Sequence, residues 1–169
     1  MGCDKAFLQI DGEPLWALQL NTLKGAAASR IFIAGPLRDE WRDYEILPDA
    51  SKNSGPLGGL TSALRVCETP LLLVLAVDLP KITRTFLRNL LSEGSGVVPQ
   101  LNGRFEPLVA IYPTAALPIA ETHLSDREYS MQRFVQECVA QRLVRVKNIS
   151  PTESPLFTNL NTPEDVDAL

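Results

Sequence analysis

Residues 71–77 read Leu-Leu-Leu-Val-Leu-Ala-Val and stop at Asp78. An unbroken apolar run of this length, without alternation, fits a strand covered by helices on both faces, the arrangement found in parallel sheets. Residues 30–34, Arg-Ile-Phe-Ile-Ala, form a second such run and end at Gly35-Pro36. Helical candidates surround these strands. Residues 14–24 carry a proline in the first turn and are followed by Gly25, while residues 56–67 and 83–91 show similar signals. Residues 44–48 form a short strand candidate. This alternation predicts an α/β domain with helices on both faces of its sheet.

The second half predicts a more mixed pattern. Residues 96–100 and 104–112 flank Asn102-Gly103, a strong hairpin signal, so one antiparallel strand is expected in a mostly parallel sheet. Helices are expected at 115–123 and 131–141, and a last strand at 143–146. A terminal helix is expected from Thr162 as N-cap, with Pro163 in its first position. No linker or repeat interrupts the sequence, so one domain over residues 1–169 is expected.

The chain has 169 residues, 45% of them hydrophobic, enough for a sizeable core without staples. Its net charge of -4 argues against nucleic acid or an anionic membrane surface as partner. Cys3, Cys67 and Cys138 are widely spaced and match neither a zinc site nor a disulfide framework. No secretory signal is evident, and the 71–77 run is too short to span a bilayer, so a cytoplasmic location is expected. His123, the single histidine, falls near a helix end and is expected at the surface or in a cap, outside any catalysis.

Asp78 stands where ligands bind in open parallel sheets, beyond the carboxyl end of a strand. By position alone it either holds Mg²⁺ against phosphates or caps the following turn. Asp49 precedes Gly55-Pro56-Leu57-Gly58-Gly59, where glycines allow close backbone approach and Pro56 fits a helix start. Such a helix terminus suits an anion, and the loop could equally receive a base or ribose. Near the other end, Asn159 and Asn161 lie two apart, so in an extended segment both amides project from one side.

Taken in order, M-G-C-D-K-A at the start, D-x5-G-P-L-G-G from Asp49, D-L-P from Asp78, R-F-E-P-L-V-A-I-Y from Arg104 and F-T-N-L-N-T-P-E-D from Phe157 resemble the molybdenum cofactor guanylyltransferases, the MobA-like nucleotidyltransferases. The resemblance implies a Rossmann-like nucleotidyltransferase fold and a cytoplasmic enzyme that uses GTP, Mg²⁺ and molybdopterin. The acceptor phosphate would attack the α-phosphate of GTP and release pyrophosphate. It implies Asp78 as catalytic metal ligand and Lys5 as catalytic partner of the triphosphate. Nucleotide contacts would come from Lys5, Ala34 through its backbone, Asp49, Gly55, Pro56, Leu57, Gly58 and Asp78. Pro107, Asn159 and Asn161 would lie on the acceptor side. Molybdoenzymes or their chaperones are implied as downstream partners.

In this family a strand and an L-A-G-G-x-S-x-R loop precede the methionine of the M-G-x-D-K pattern, and Met1 of this chain falls on that methionine. Two expectations follow from the resemblance. The domain is N-terminally truncated, with its first strand absent, and the strands at 30–34 and 71–77 are separated by a gap or drawn together by a shift. Related readings are a nucleotidyltransferase using CTP or a sugar phosphate, and a degenerate homologue that binds nucleotide without turnover.

Overall fold

In the computed structural model, residues 5–26 and 28–160 are described. A short hairpin of β1 (Gln9–Ile10) and β2 (Glu13–Pro14) turns through Asp11 and Gly12, both with positive φ. It leads directly into α1 (Leu15–Gly25), with Pro14 as its N-cap rather than its first residue. Next come β3 (Phe32–Ala34), β4 (Glu45–Leu47), α2 (Pro56–Val66) and β5 (Leu71–Leu75). After α3 (Arg84–Leu91), capped by the Thr83 hydroxyl accepting from the Phe86 N–H, the chain forms β6 (Gly96–Leu101), β7 (Arg104–Phe105) and β8 (Val109–Pro113). It closes with α4 (Leu117–Ser125), α5 (Met131–Ala140), capped by Ser130, and β9 (Val144–Asn148).

The expected hairpin is present but divided. Asn102 and Gly103 take positive φ, and β7 pairs with β6 for two residues only. Residues 106–108 then leave the ladder. β8 inserts antiparallel between β5 and β6, and β9 pairs parallel with β6. The fold is therefore Rossmann-like α/β, and where one antiparallel strand is expected the divided hairpin supplies two, β7 and β8, running opposite to β5, β6 and β9.

Strand alternation sorts the core onto two faces. Leu71, Leu73 and Leu75 of β5, with Val109 and Ile111 of β8, pack with Leu23 of α1 and with Phe86, Leu87 and Leu90 of α3. Leu72 and Val74, with Ala110 and Tyr112, pack with Leu57, Leu60 and Leu64 of α2 and with α4 and α5. Helices thus cover both faces, as the unbroken apolar runs predict.

One consequence of those runs is not realised. β3 pairs with β4, in parallel, while β5 pairs with β8, and among the described residues no strand lies between β3 and β5. The two facing edges border a cavity of about 1040 Å³. The expected gap is present, and it leaves Phe32, Ile33, Leu73, Val74 and Leu75 only partly buried. The apolar runs call for cover on every side, and here one lateral neighbour is a cavity.

The position expected for the terminal helix, from Thr162, lies outside the described residues, as do Asn161 and Cys3. Cys67 and Cys138 are free thiols, and burial pushes that of Cys138 up to about 12. Among the described residues, no helix is long and apolar enough to cross a membrane.

Candidate functional site

The carboxyl ends of β3, β4 and β5 all point to one end of the cavity, which Ala34, Asp49, Gly55, Pro56 and Asp78 line together. Position beyond parallel strand ends is where α/β sheets bind ligands. Each part is held by a separate local device.

The first device is the start of α2. Gly55 caps the helix with φ 57° and ψ −150°, a conformation open essentially to glycine alone, and Pro56 fits the first helical position. The Ser54 hydroxyl donates to the Ser51 carbonyl, and the Ala50 N–H donates to the Gly58 carbonyl at 3.2 Å, so the loop folds back on the helix. A β-carbon on Gly59 would stand 2.9 Å from Ala34 Cβ and 3.4 Å from Asp49 Oδ1. Glycine at this position therefore lets α2 close against both Ala34 and Asp49. Gly59 works by what it lacks, and the sequence pattern does not reveal that function.

The second device brings Lys5 and Asp78 together. Lys5 opens a single 3₁₀ turn, Lys5–Phe7, in which Ala6 is buried and Phe7 stacks on Trp41 with centroids 5.9 Å apart. Leu8, Leu15 and Leu160 then form a small buried cluster joined by Val77. This cluster ties the start of the chain, α1 and residue 160 to the end of the β5 segment. Lys5 Nζ lies 3.6 Å from Asp78 Oδ2, with the Asp78 side chain 28% exposed and Lys5 41% exposed. The Leu160 N–H donates to the Asp78 carbonyl at 2.9 Å, which sets the exposed Asn159 beside Asp78. Phe157 anchors the same segment edge-on against Phe86.

The third device holds residues 106–108. The Ala76 N–H donates to the Leu108 carbonyl at 2.7 Å, and the Tyr112 hydroxyl donates to the Pro107 carbonyl at 2.8 Å. Tyr112 is fully buried, and that burial raises its phenol well above the ordinary tyrosine range. Glu106 sits at the near end of this segment. Partial burial raises its carboxyl above the ordinary glutamate value, Arg104 opposes the shift, and the negative charge of Asp78 adds to it. Both lie in the R-F-E-P-L-V-A-I-Y segment, yet the sequence assigns neither a role, because the part each plays depends on neighbours distant along the chain.

Two expected contacts take a different form. The Leu57 side chain is fully buried in the core and points away from the cavity, so only its backbone N–H, in the first turn of α2, can serve a ligand. The Gly58 carbonyl is engaged by Ala50, and neither residue lines the cavity. His123 is not at the surface. It is 8% exposed, stacked edge-on against Phe134, with Nε2 2.9 Å from Glu137 Oε2, and it stands apart from the cavity.

The doubly covered α/β sheet thus carries a glycine-lined helix start and a Lys–Asp pair at the carboxyl ends of its strands. The chain belongs to the MobA-like NTP transferase domain family, whose model matches residues 1–145. It is 39% identical to a probable molybdenum cofactor guanylyltransferase of Opitutus terrae, over 99% of this chain and 87% of that protein. It is 28% identical to a molybdenum cofactor guanylyltransferase of Pseudomonas fluorescens, over 96% of this chain and 83% of that protein. Among solved structures, molybdopterin-guanine dinucleotide biosynthesis protein A of Archaeoglobus fulgidus matches with a TM-score of 0.76 and 23% identity, over 99% of this chain and 89% of that one. A 2-C-methyl-D-erythritol 4-phosphate cytidylyltransferase of Thermus thermophilus matches at 0.66 and 19%, over 97% and 91%. At these identities the structural likeness is one of fold.

Proposed function

We propose that this chain transfers GMP from GTP to the phosphate of molybdopterin or its molybdenum-loaded form and releases pyrophosphate. The observation that carries this reading is the opening of two groups of residues onto one cavity end. These are the Asp49–Gly55–Pro56 loop and Asp78, the latter with Lys5 Nζ 3.6 Å from its carboxylate, in a chain 39% identical to a relative bearing that activity in its name. The alternatives, a CTP- or sugar-phosphate-dependent transferase and a binding protein without turnover, are outcomes of the test below.

Asp49 and the backbone around Ala34, Gly55 and Pro56, with the Leu57 N–H, receive the guanine and ribose. Lys5 meets the triphosphate, where its point charge offsets the negative charge that grows on the departing pyrophosphate. Pro107, Asn159 and Asn161 line the acceptor side, Asn161 lying outside the described residues. An oxygen of the acceptor phosphate monoester bonds to the α-phosphorus, and the bond from that phosphorus to the bridging oxygen breaks. The nucleophile is already ionised near neutral pH, so the site does most of its work by orientation and charge neutralisation rather than by proton removal.

Asp78 suits Mg²⁺. It offers a hard, partly exposed carboxylate, and no cluster of three or more metal-ligating side chains exists among the described residues. That is the sparse protein ligation Mg²⁺ accepts while keeping waters and phosphates in its shell. When bound there, Mg²⁺ would neutralise triphosphate charge. We also assign the chain to a single nucleotidyltransferase-like domain acting in the cytoplasm, handing its product to molybdoenzymes or their chaperones and contacting neither nucleic acid nor membrane.

The test is pyrophosphate release from GTP, CTP and ATP with the molybdopterin cofactor as acceptor, with and without Mg²⁺. Release with GTP alone supports the reading. Release with CTP moves the chain to a cytidylyl activity, and nucleotide binding without release moves it to the non-catalytic reading.

A further inference from the structure

Three tethers hold residues 106–108 beside the Asp78 end of β5. The Ala76 N–H donates to the Leu108 carbonyl, the Tyr112 hydroxyl to the Pro107 carbonyl, and the Glu106 N–H to the Pro99 carbonyl at 2.8 Å. The Val109 N–H donates back to the Glu106 carbonyl at 3.2 Å and closes a tight turn. Both backbone groups of Glu106 are therefore engaged, and its position is fixed. Phe105 and Leu108 supply the apolar contacts of this segment to the core. The Glu106 side chain has no such task. It is half-buried, and among the described residues no hydrogen bond or ion pair reaches its carboxylate. The charges that act on it are Arg104, two residues earlier, and Asp78. A partly desolvated carboxylate beside a second one stands against its own electrostatic preference, and a ligand with paired donors would relieve it.

We propose that the Glu106 carboxylate reads the pterin of the acceptor, accepting hydrogen bonds from the two N–H donors of its 2-amino-4-oxopyrimidine edge. This rests on the proposed guanylyl transfer, in which Pro107 and Asn159 line the acceptor side. A carboxylate presents two acceptor oxygens in one plane. The pterin edge presents a ring N3–H and an exocyclic amino group side by side, so both oxygens are satisfied at once. Guanine carries the same donor pair, and Asp49 stands at the start of α2 to meet it. Two carboxylates on separate segments thus serve two heterocycles that share one edge. Partial burial favours a planar ring over Mg²⁺, which keeps several waters in its shell.

The probe is 6-hydroxymethylpterin phosphate, which carries this edge and a phosphate monoester. Its counterpart is the matching lumazine, in which a carbonyl replaces the 2-amino group. Binding of each to the full chain is read by fluorescence titration near neutral pH, with GTP binding measured in parallel. The parent is expected to prefer the pterin. Glu106→Gln presents one acceptor and one donor, which match the N3–H and 2-carbonyl of the lumazine. With native circular dichroism, the variant is expected to bind the pterin on the order of 10- to 100-fold more weakly, to prefer the lumazine, and to keep its GTP affinity. A reversed preference is a change that a merely structural role does not produce. The proposal is overturned if the variant keeps the parent's preference, if GTP affinity falls instead, or if the parent binds neither pteridine. It is also overturned if selectivity is intact and only the Mg²⁺ requirement rises, which would make Glu106 a metal ligand. Reversal of preference in a chain that releases no pyrophosphate would support the role of Glu106 and defeat the guanylyl transfer, so the two fail separately.

Discussion

Lys5 Nζ and Asp78 Oδ2 stand 3.6 Å apart at the mouth of the cavity, although one lies in a single 3₁₀ turn near the start of the described chain and the other follows β5. The Leu8, Leu15 and Leu160 cluster fixes both backbones, so the pair itself has little structural work to do. Exposed ion pairs contribute about 0–1 kcal/mol. Asp78→Ala is therefore expected to leave stability within about 1 kcal/mol of the parent and to lower turnover by on the order of 100- to 1000-fold. Urea denaturation and pyrophosphate release measure the two effects. Normal guanylyl transfer by the variant would remove Asp78 from the site.

Gly59→Ala tests the closure of α2 on Ala34. Helix propensity favours alanine over glycine by about 1 kcal/mol, while overpacking costs about 1–3 kcal/mol. With the new methyl 2.9 Å from Ala34 Cβ, the steric term is expected to win. The variant should lose stability and GTP affinity together, and Ala34→Gly added to it should restore both. Calorimetric titration with GTP checks this, and undiminished affinity in the single variant would show that the close approach is dispensable.

Tyr112→Phe removes the donor to the Pro107 carbonyl and nothing else. A carbonyl left without its partner costs about 1–3 kcal/mol. The expected signature is a raised KM for the acceptor with the KM for GTP unchanged, because Tyr112 steadies residues 106–108 and not the Asp49 loop. A rise confined to GTP would contradict the assignment of Pro107 to the acceptor side.

Glu106 supplies a pH dependence. Its carboxyl in the folded chain titrates above the ordinary value of 4.5, chiefly through burial and secondarily through Asp78. The folded state then holds this proton more tightly than the unfolded state does. The contribution is complete below 4.5 and lost as pH rises through the raised folded value. Glu106→Gln should flatten that decline. Denaturation midpoints of both proteins across the window measure it, and identical slopes would show that Glu106 does not titrate there.

Much of this molecule is written locally. The unbroken apolar runs ending at Gly35 and Asp78 demanded helices on both faces of a sheet, since burying them any other way leaves apolar surface in water. Asn102-Gly103 demanded a turn, Pro56 after Gly55 demanded a helix start, and Thr83 and Ser130 cap the helices they precede. Asp49, Gly55 and Asp78 were legible as site candidates because each follows a strand or opens a helix. Tertiary structure alone decided which of these ends meet. The insertion of β8 between β5 and β6 is a pairing choice between distant segments, and no local pattern encodes it. The burial of His123, the anchoring of Pro107 by Tyr112, the shifted carboxyl of Glu106 and the clearance at Gly59 are likewise properties of neighbours brought in by packing. The cavity between β3 and β5 belongs to the same group: among the described residues the two strands face each other across it, a placement that neither apolar run encodes.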